Sequence, residues 1–167
     1  MTIEHPYDAE SSSWASTPGV RRSMQSNRGR DTGPELRLRH VLHAMGLRYF
    51  VNRRPIKSVR RTADIVFPRA RVAVFVDGCF WHSCPEHGTS PATHGSFWNA
   101  KLARTAERDL ETDQMLQGAG WHVVRIWEHE DATSAAAAIA ELIGARRTQG
   151  NYEDNTSAKT LKSASLR

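Results

Sequence analysis

The chain is short of cysteine and has no long apolar run. Only two of its 167 residues are cysteines, and they stand five positions apart at Cys79 and Cys84. Two thiols that close together could not cross-link a fold of this size, and a reducing cytosol leaves them available as thiolate ligands. No segment approaches the ~20 apolar residues of a membrane span. The start MTIEHPYDAE lacks the basic and apolar regions of a signal peptide, so we expect a cytoplasmic protein with no membrane partner.

Internal repeats are also absent, and 167 residues suit one domain with tails around a single hydrophobic core. The net charge of +5 is modest but unevenly distributed. Between Arg21 and Arg61 there are twelve Arg or Lys residues and only two acids, Asp31 and Glu35. Such a surface suits a polyanion, because each cation placed on a phosphate releases condensed counterions. The alternative is a merely solvated arginine-rich surface, and charge alone does not distinguish DNA from RNA.

Both ends of the chain have the composition of disordered segments. Residues 1–20 are rich in Ser, Thr, Pro and Ala, residues 148–167 are similar, and neither stretch shows an apolar period. We therefore expect a disordered tail at each end and one folded domain over residues 21–147.

The pattern between the tails predicts the element order α-β-β-β-α-β-α. Thr32 can cap the first helix, Pro34 is tolerated in its first turn, and Gly46 stops it. Two short β-branched or aromatic runs should form a hairpin of buried strands. The remaining elements are expected at 48–52 (a weakly marked strand), about 96–117 (helix), His122–Trp127 (strand) and about 133–145 (helix), with the hairpin at Ala63–Phe67 and 72–76. This order predicts an α/β or α+β domain around a central mixed sheet.

Two acids stand at the ends of the hairpin strands. Asp64 begins one strand and Asp77 ends the next, so an antiparallel pair would bring both carboxylates to the same edge of the sheet. Two such acids can hold a divalent cation, although two solvated turn acids are the alternative. Asp109 and Asp113 fall inside the apolar stripe of the long helix. Acids on a buried face need partners.

The two cysteines have a spacing that suits zinc. Cys79-x4-Cys84-x2-His87 offers three ligands, and His129 at the end of the last strand can offer a fourth. The alternative is a pair of unbound cysteines. The fourth position is open, because further histidines compete for it: His82, His94 and His122.

Aromatic residues crowd the same region. Phe80 and Trp81 lie between the first cysteine and His82, and Trp98 follows at the start of the long helix. Core packing is the usual role of aromatic side chains. A loop tied down by a metal has less need of core aromatics, so insertion between stacked bases is the alternative.

These residues, taken in order, resemble the very short patch repair endonucleases, bacterial enzymes that nick DNA beside a T:G mismatch. The resemblance covers about residues 24–130, which is nearly the whole predicted domain, and the run Gly-Cys-Phe-Trp-His is its most specific part. The matching pieces are Asp31-Thr32-x2-Glu35, Ala63-Asp64-Ile65-Val66, Phe75-x2-Gly78-Cys79-Phe80-Trp81-His82, Phe97-Trp98-x2-Lys101, Glu107-Arg108-Asp109, Gly120-Trp121-x-Val123 and Trp127-Glu128.

The resemblance implies a restriction-endonuclease-like α/β fold, a central mixed sheet flanked by helices, with a structural zinc and a Mg²⁺-dependent active site. It implies that Asp64 and the backbone carbonyl of Val76 bind the catalytic cation. Glu35 and Asp109 would organise cation-bound waters, and His82 would assist proton transfer from the attacking water. In-line attack on a phosphodiester should leave a 5′-phosphate and a 3′-hydroxyl.

The resemblance also assigns the aromatic residues and an N-terminal arm to DNA. Phe80, Trp81 and Trp98 match wedges that enter the duplex beside the mismatch, and Met24, in a DNA-contacting arm over residues 21–34, matches a fourth. A mismatch unstacks at lower cost than a paired step, which is one physical route to selecting it.

The chain departs from the family pattern in two places. The best-known form of the family has Thr-His where this chain has Val76-Asp77, so we expect Asp77 to bind Mg²⁺ directly or through water. The zinc ligands also differ in spacing, which exchanges thiolate and imidazole positions without changing the structural role.

The resemblance predicts a bacterial, nucleoid-associated and monomeric enzyme that nicks one DNA strand beside a T:G mismatch, with mismatch-repair proteins as further partners. Two alternatives stay open. The first is a restriction-type or general nicking nuclease of the same fold without mismatch preference. The second is a zinc-stabilised DNA-binding module without catalysis.

Overall fold

A computed structural model of the chain describes residues 29–88 and 95–164, with side chains up to residue 148. The described elements follow the predicted order, including the weakly marked first strand. They are α1 (Gly33–Ala44), β1 (Phe50–Arg53), β2 (Ala63–Phe67), β3 (Val72–Asp77), α2 (Gly95–Gly118), β4 (His122–Trp127) and α3 (Ala132–Ala164). Met24 and most of the predicted arm lie outside the described residues.

The strands form one mixed sheet in the order β1-β2-β3-β4. β1 and β2 pair antiparallel, and β2 and β3 form the predicted hairpin, in which Ile65 pairs with Val74. β4 runs parallel to β3, with Asp77 opposite Trp127. A parallel pair needs a long crossover, and α2 supplies it. The sheet therefore brings the end of β3 and the end of β4 to the same edge.

Helices cover both faces of this sheet. On one face, α1 and α3 pack against alternate strand residues such as Ile65 and Val74, which are fully buried. On the other face, Ala73 and Phe75 of β3 pack with Leu116 of α2. Alternate strand residues point to opposite faces, which is why β3 is buried on both sides. The expected α/β architecture around a central mixed sheet is confirmed.

The last helix is longer than the sequence indicates. It spans 33 residues, so it passes the predicted end near 145 and runs through most of the segment 148–167 that composition assigned to a disordered tail. No proline occurs in this helix. Polar residues such as Ser, Thr and Asn cost less than ~0.7 kcal/mol each in a helix, and a helix that is already nucleated extends by one hydrogen bond per residue. Among the described residues, no helix is long and apolar enough to cross a bilayer.

Candidate active site

Asp64 and Val76 meet at the edge of the sheet where β3 ends. The backbone N–H of Val76 donates to Asp64 Oδ2 at 2.7 Å, and Oδ1 has no hydrogen-bond partner among residues 29–88 and 95–148. Successive carbonyls of a strand point to opposite sides. The Asp77 carbonyl accepts from Glu128 N on the β4 side, so the Val76 carbonyl points toward β2 and Asp64. The Val76 carbonyl and the Asp64 carboxylate therefore lie on the same side of β3, where the resemblance expects a cation.

The environment of Asp64 disfavours a bare negative charge. The pKa of this carboxyl is raised to about 6, chiefly by burial and also by the nearby acids Glu35 and Asp77, while the Val76 N–H and His82 act against the shift. A carboxylate in such a position is stabilised by a positive charge at its uncovered oxygen. The arrangement suits a cation ligand.

Glu35 is buried, its charge raises the pKa of Asp64, and its carboxylate binds the start of α1. Its Oε2 accepts from Asp31 N at 2.9 Å, and its Oε1 accepts from the Thr32 hydroxyl at 2.8 Å. Thr32 is the N-cap residue of α1, as the sequence indicates. Glu35 thus satisfies donors at the helix start, and its expected role in ordering water stays a prediction.

His82 lies in the turn after β3 and contacts two acids through the same ring nitrogen. Nδ1 lies 2.6 Å from Asp109 Oδ2 and 3.5 Å from Asp77 Oδ1. The turn is fixed by a hydrogen bond from His82 N to the Gly78 carbonyl at 3.1 Å. A proton on Nδ1 satisfies the carboxylates and leaves Nε2 as the nitrogen available for proton transfer. Asp109 therefore has a partner on its apolar helix face, and that partner is His82.

Arg125 of β4 joins three acids and was missed by the sequence reasoning. Nη1 donates to both oxygens of Asp77 at 3.1 and 2.9 Å, and Nε and Nη2 donate to Asp113 at 2.9–3.2 Å. Nη2 also lies 3.5 Å from Asp109 Oδ1. These acids hold the pKa of the guanidinium above its ordinary value despite the opposing effect of burial. The sequence did carry one signal, a cation inside the apolar run HVVRIW, since a buried charge needs a partner.

The structure brings together Cys79, Cys84, His87 and His129. Their ligand atoms all lie within 4.8 Å of one another. Cys79 Sγ is 3.1 Å from His129 Nδ1, and Cys84 Sγ is 3.9 Å from the same nitrogen. Two sulfur and two nitrogen donors form a set that a metal ion such as zinc prefers. Of the competing histidines, His82 faces acids and His94 lies outside the described residues.

Backbone contacts hold this Cys/His cluster in shape. Glu128 Oε1 accepts from Cys79 N at 2.7 Å, which joins the end of β4 to the turn that carries the cysteines. Gly88 N donates to the Cys84 carbonyl at 2.7 Å, and a Cβ at Gly88 would clash with that oxygen. Glycine is therefore required at this close approach.

The predicted wedge residues pack on one another beside this turn. The Phe80 ring centroid is 5.0 Å from that of Trp81 and 5.4 Å from that of Trp98. Lys101 Nζ lies over both indoles, at 4.9 and 5.2 Å from their centroids. Phe80 and Trp81 are partly exposed, whereas Trp98 is only 4% exposed. Trp98 would therefore have to leave this packing in order to enter a duplex.

Carboxylates that meet a histidine where a strand of a mixed α/β sheet ends are typical of hydrolytic enzymes, in which the histidine can accept a proton from water. Comparison with known proteins narrows the class. The model of one family, described as DNA mismatch endonuclease Vsr, matches residues 16–87. The chain belongs to the Vsr family and is a DNA nicking endonuclease.

Relatives of the chain carry two kinds of name. The type II nicking enzyme V.NaeI of Lentzea aerocolonigenes is 46% identical over 128 residues, which are 75% of this chain and 76% of that protein. The type II nicking enzyme V.NmeDIP of Neisseria meningitidis serogroup C is 39% identical, over 86% of this chain and 97% of that protein. The DNA mismatch endonuclease Vsr of Escherichia coli K12 is 35% identical, over 64% of this chain and 67% of that protein.

Proposed function

We propose that the protein nicks one strand of duplex DNA beside a T:G mismatch by Mg²⁺-dependent hydrolysis and so starts very short patch repair. The observation that carries the proposal is the meeting of Asp64, the Val76 carbonyl and His82 at one edge of the sheet. A restriction-endonuclease-like fold is the finer description that this mixed sheet and its helices support.

Oxygen donors at this edge fit Mg²⁺. The uncovered Oδ1 of Asp64 and the Val76 carbonyl would hold the ion, because Mg²⁺ prefers a carboxylate with few further protein ligands. Bound there, the ion would polarise the phosphodiester and offset the charge that develops on it. Asp77 as a further ligand stays a prediction, since both of its oxygens accept hydrogen bonds from Arg125.

His82 would move the proton in this mechanism. With Nδ1 held by Asp109, the free Nε2 takes a proton from the water that attacks phosphorus in line with the leaving oxygen. The bond from phosphorus to the 3′ oxygen breaks, and that oxygen takes a proton from solvent water, which leaves a 3′-hydroxyl and a 5′-phosphate. Asp109 keeps the ring in one tautomer and stabilises the positive charge that forms on it.

A basic loop beside the site suits the DNA backbone. Residues 54–62 join β1 to β2 and lead directly to Asp64, and Val59 anchors the loop in the core. The cations of the loop are exposed: Arg54, Lys57, Arg60 and Arg61. Cations placed on phosphates position a protein on a duplex without reading its sequence.

The aromatic cluster supports recognition of a distorted step. Phe80 and Trp81 are partly exposed, and they stand on the same turn as His82. Apolar wedges enter base stacks most cheaply where a base pair is mismatched. Met24 and Trp98 as further wedges stay predictions.

The Cys/His cluster would bind one structural Zn²⁺ and fix this turn. Two buried thiols and two imidazoles form a closed set of ligands, which is typical of a structural site. The turn carries the wedge residues and His82, so the ion would hold them in a fixed relation to Asp64. Glu86 Oε2, 3.5 Å from His129 Nε2, would orient that ligand from outside.

A second candidate function is strand nicking without mismatch preference. Specific support comes from relatives such as V.NaeI and V.NmeDIP, whose names describe type II nicking enzymes. Membership of a family of nicking enzymes speaks against the non-catalytic binding module. Action as a monomer and association with mismatch-repair proteins stay predictions from the resemblance.

One experiment separates these candidates. Labelled duplexes that differ only in a central T:G or T:A pair, placed in varied contexts, would be incubated with the full chain with and without Mg²⁺. We expect nicking of T:G duplexes in one strand, only with Mg²⁺, and with a 5′-phosphate product. Equal nicking of T:A would refute mismatch recognition, and equal nicking under thorough chelation would refute the cation mechanism.

A further inference from the structure

We propose that Arg125, clamped by Asp113, is a positioning residue that holds Asp77 and Asp109 around Nδ1 of His82. The inference rests on the proposed role of His82 in proton transfer. It concerns Arg125 of β4 and Asp113 of α2, two side chains that the resemblance does not assign to any step.

The first step is placement by the fold. In β3 and β4, alternate residues point to the face covered by α2, and both Asp77 and Arg125 point that way, as does Phe75 opposite Arg125. On α2, Asp109 and Asp113 are one turn apart and so share a helix face. Helix α2 therefore places the carboxylates of Asp109 and Asp113 over β3 and β4. The two strands supply the carboxylate of Asp77 and the guanidinium of Arg125.

The second step is the direction of the guanidinium. One edge of the group donates to Asp113 from Nε and Nη2, and Nη1 donates to both oxygens of Asp77. Its carbon lies 4.9 Å from the centroid of the Phe75 ring, and Nη2 also donates to the Asp109 carbonyl at 3.3 Å. A planar guanidinium that is hydrogen-bonded along two edges and packed against an aromatic ring is restricted to one orientation. Asp113 thus fixes Arg125, and Arg125 fixes Asp77.

The third step is charge. Asp77 and Asp109 both approach Nδ1 of His82, at 3.5 and 2.6 Å, and two carboxylates that share a site repel each other. Arg125 lies against both, since Nη1 contacts Asp77 and Nη2 is 3.5 Å from Asp109 Oδ1. Its positive charge lies between the two carboxylates and offsets their mutual repulsion. A lysine could supply the charge but not the fork.

The test uses Asp113→Asn and Arg125→Lys in the full chain. Asp113 does not contact His82 and its carboxylate is bound by Arg125, so an effect on the imidazole that both variants share indicates coupling through Arg125. The matched control is Arg146→Lys, because Arg146 is also partly buried and donates to two backbone carbonyls, those of Ala70 and Gly120. Three quantities would be measured: kcat and KM for nicking, the thermal midpoint, and the ¹⁵N signals of the His82 ring, assigned by their loss in His82→Gln.

We expect both test variants to lower kcat by about 10- to 100-fold, as loss of a supporting partner around a reactive centre does. KM should change by less than about threefold. The ¹⁵N signals of His82 should shift from the Nδ1-protonated form toward a mixture of tautomers. Arg146→Lys should leave kcat and these signals unchanged, even where it lowers the thermal midpoint by a similar amount.

Two results would overturn the inference. One is unchanged His82 signals and kcat in both folded test variants. The other is an equal loss of kcat in Arg146→Lys and in the test variants when their thermal midpoints fall by the same amount. Asp77→Asn separates two roles of Asp77, contact with Nδ1 of His82 and binding of Mg²⁺. A higher Mg²⁺ requirement with unchanged His82 signals would make Asp77 a cation ligand and would contradict its role around His82. The ¹⁵N readout needs neither DNA nor Mg²⁺, so failure of the proposed mechanism would appear separately, as absence of nicking by the wild-type chain.

Discussion

The acid and histidine centre at the end of β3 and the Cys/His cluster are joined by one turn, residues 78–88, yet different forces hold their side chains in place. In the centre, Arg125 contacts Asp77, Asp109 and Asp113, so the protein supplies its own balancing charge. In the cluster, thiols and imidazoles lie within 4.8 Å of one another. A metal ion would complete such a donor set, and the folding free energy of this turn would then depend on the ion.

This difference in stabilising forces predicts that the centre and the cluster respond differently to removal of metal. The acids around Arg125 should keep their geometry as long as the sheet and α2 are folded, because they lie on elements of secondary structure, whereas His82 lies on the turn. The cluster should lose its geometry when metal is removed, because most of its donors lie on the turn itself. Perturbing one side at a time therefore tests whether the turn transmits changes from the cluster to His82.

The largest effect is expected at the centre. Asp64→Ala removes the carboxylate with the uncovered oxygen and should lower nicking by about 10³-fold or more, as loss of a group that stabilises developing charge does. DNA affinity, measured by mobility shift, and zinc content should stay near wild type. The matched control is Glu141→Ala, an exposed acid on α3. Nicking by Asp64→Ala at the wild-type rate would contradict the assignment.

The next effect is expected at the cluster. Cys84→Ser, or chelation of the wild-type chain, should release about one zinc per chain, measured by metal analysis. A ligand present at about a thousand times its Kd stabilises a fold by ~4.1 kcal/mol, so the free energy of unfolding should fall by about that amount. Nicking should fall as well, because His82 lies on the same turn. A metal-free chain with wild-type stability would contradict this prediction.

The two regions also differ in how far the sequence could reveal them. The cluster was predictable because Cys79, Cys84 and His87 lie within nine positions, and their spacing alone suggests a ligand set. The hairpin placed Asp64 beside the end of β3 for a similar reason, since a short turn fixes the register of two strands.

The charge network of the centre could not be derived in that way. Arg125 reaches Asp77 only because β4 lies parallel to β3 in one particular register, and a slip of one residue would move its side chain to the other face. The sequence does not state this register. It did show Asp109 and Asp113 on an apolar helix face without partners, and the partners are His82 and Arg125.

A smaller effect is expected from the aromatic cluster on the turn. Trp81→Ala should lower the preference for T:G over T:A duplexes by about tenfold, because a stacked aromatic side chain contributes ~1–3 kcal/mol per base. Affinity for matched DNA should change less. The matched control is Phe50→Ala, an aromatic residue that is 49% exposed at the other edge of the sheet. An equal loss of affinity for both duplexes would refute the wedge.

The smallest effect is expected for Glu35→Gln. This variant tests whether hydrogen bonds at the start of α1 fix an acid of the centre, as Arg125 fixes others. Glu35→Gln replaces one acceptor with an amide donor opposite the backbone N–H of Asp31 or Thr32, so α1 should lose about 1 kcal/mol of stability. Urea unfolding would measure this loss. The matched control is Glu130→Gln, whose carboxylate accepts from Trp127 N in an exposed turn and should cost less. If nicking falls far more than stability does, Glu35 acts on water at the cation, and the helix start is its secondary role.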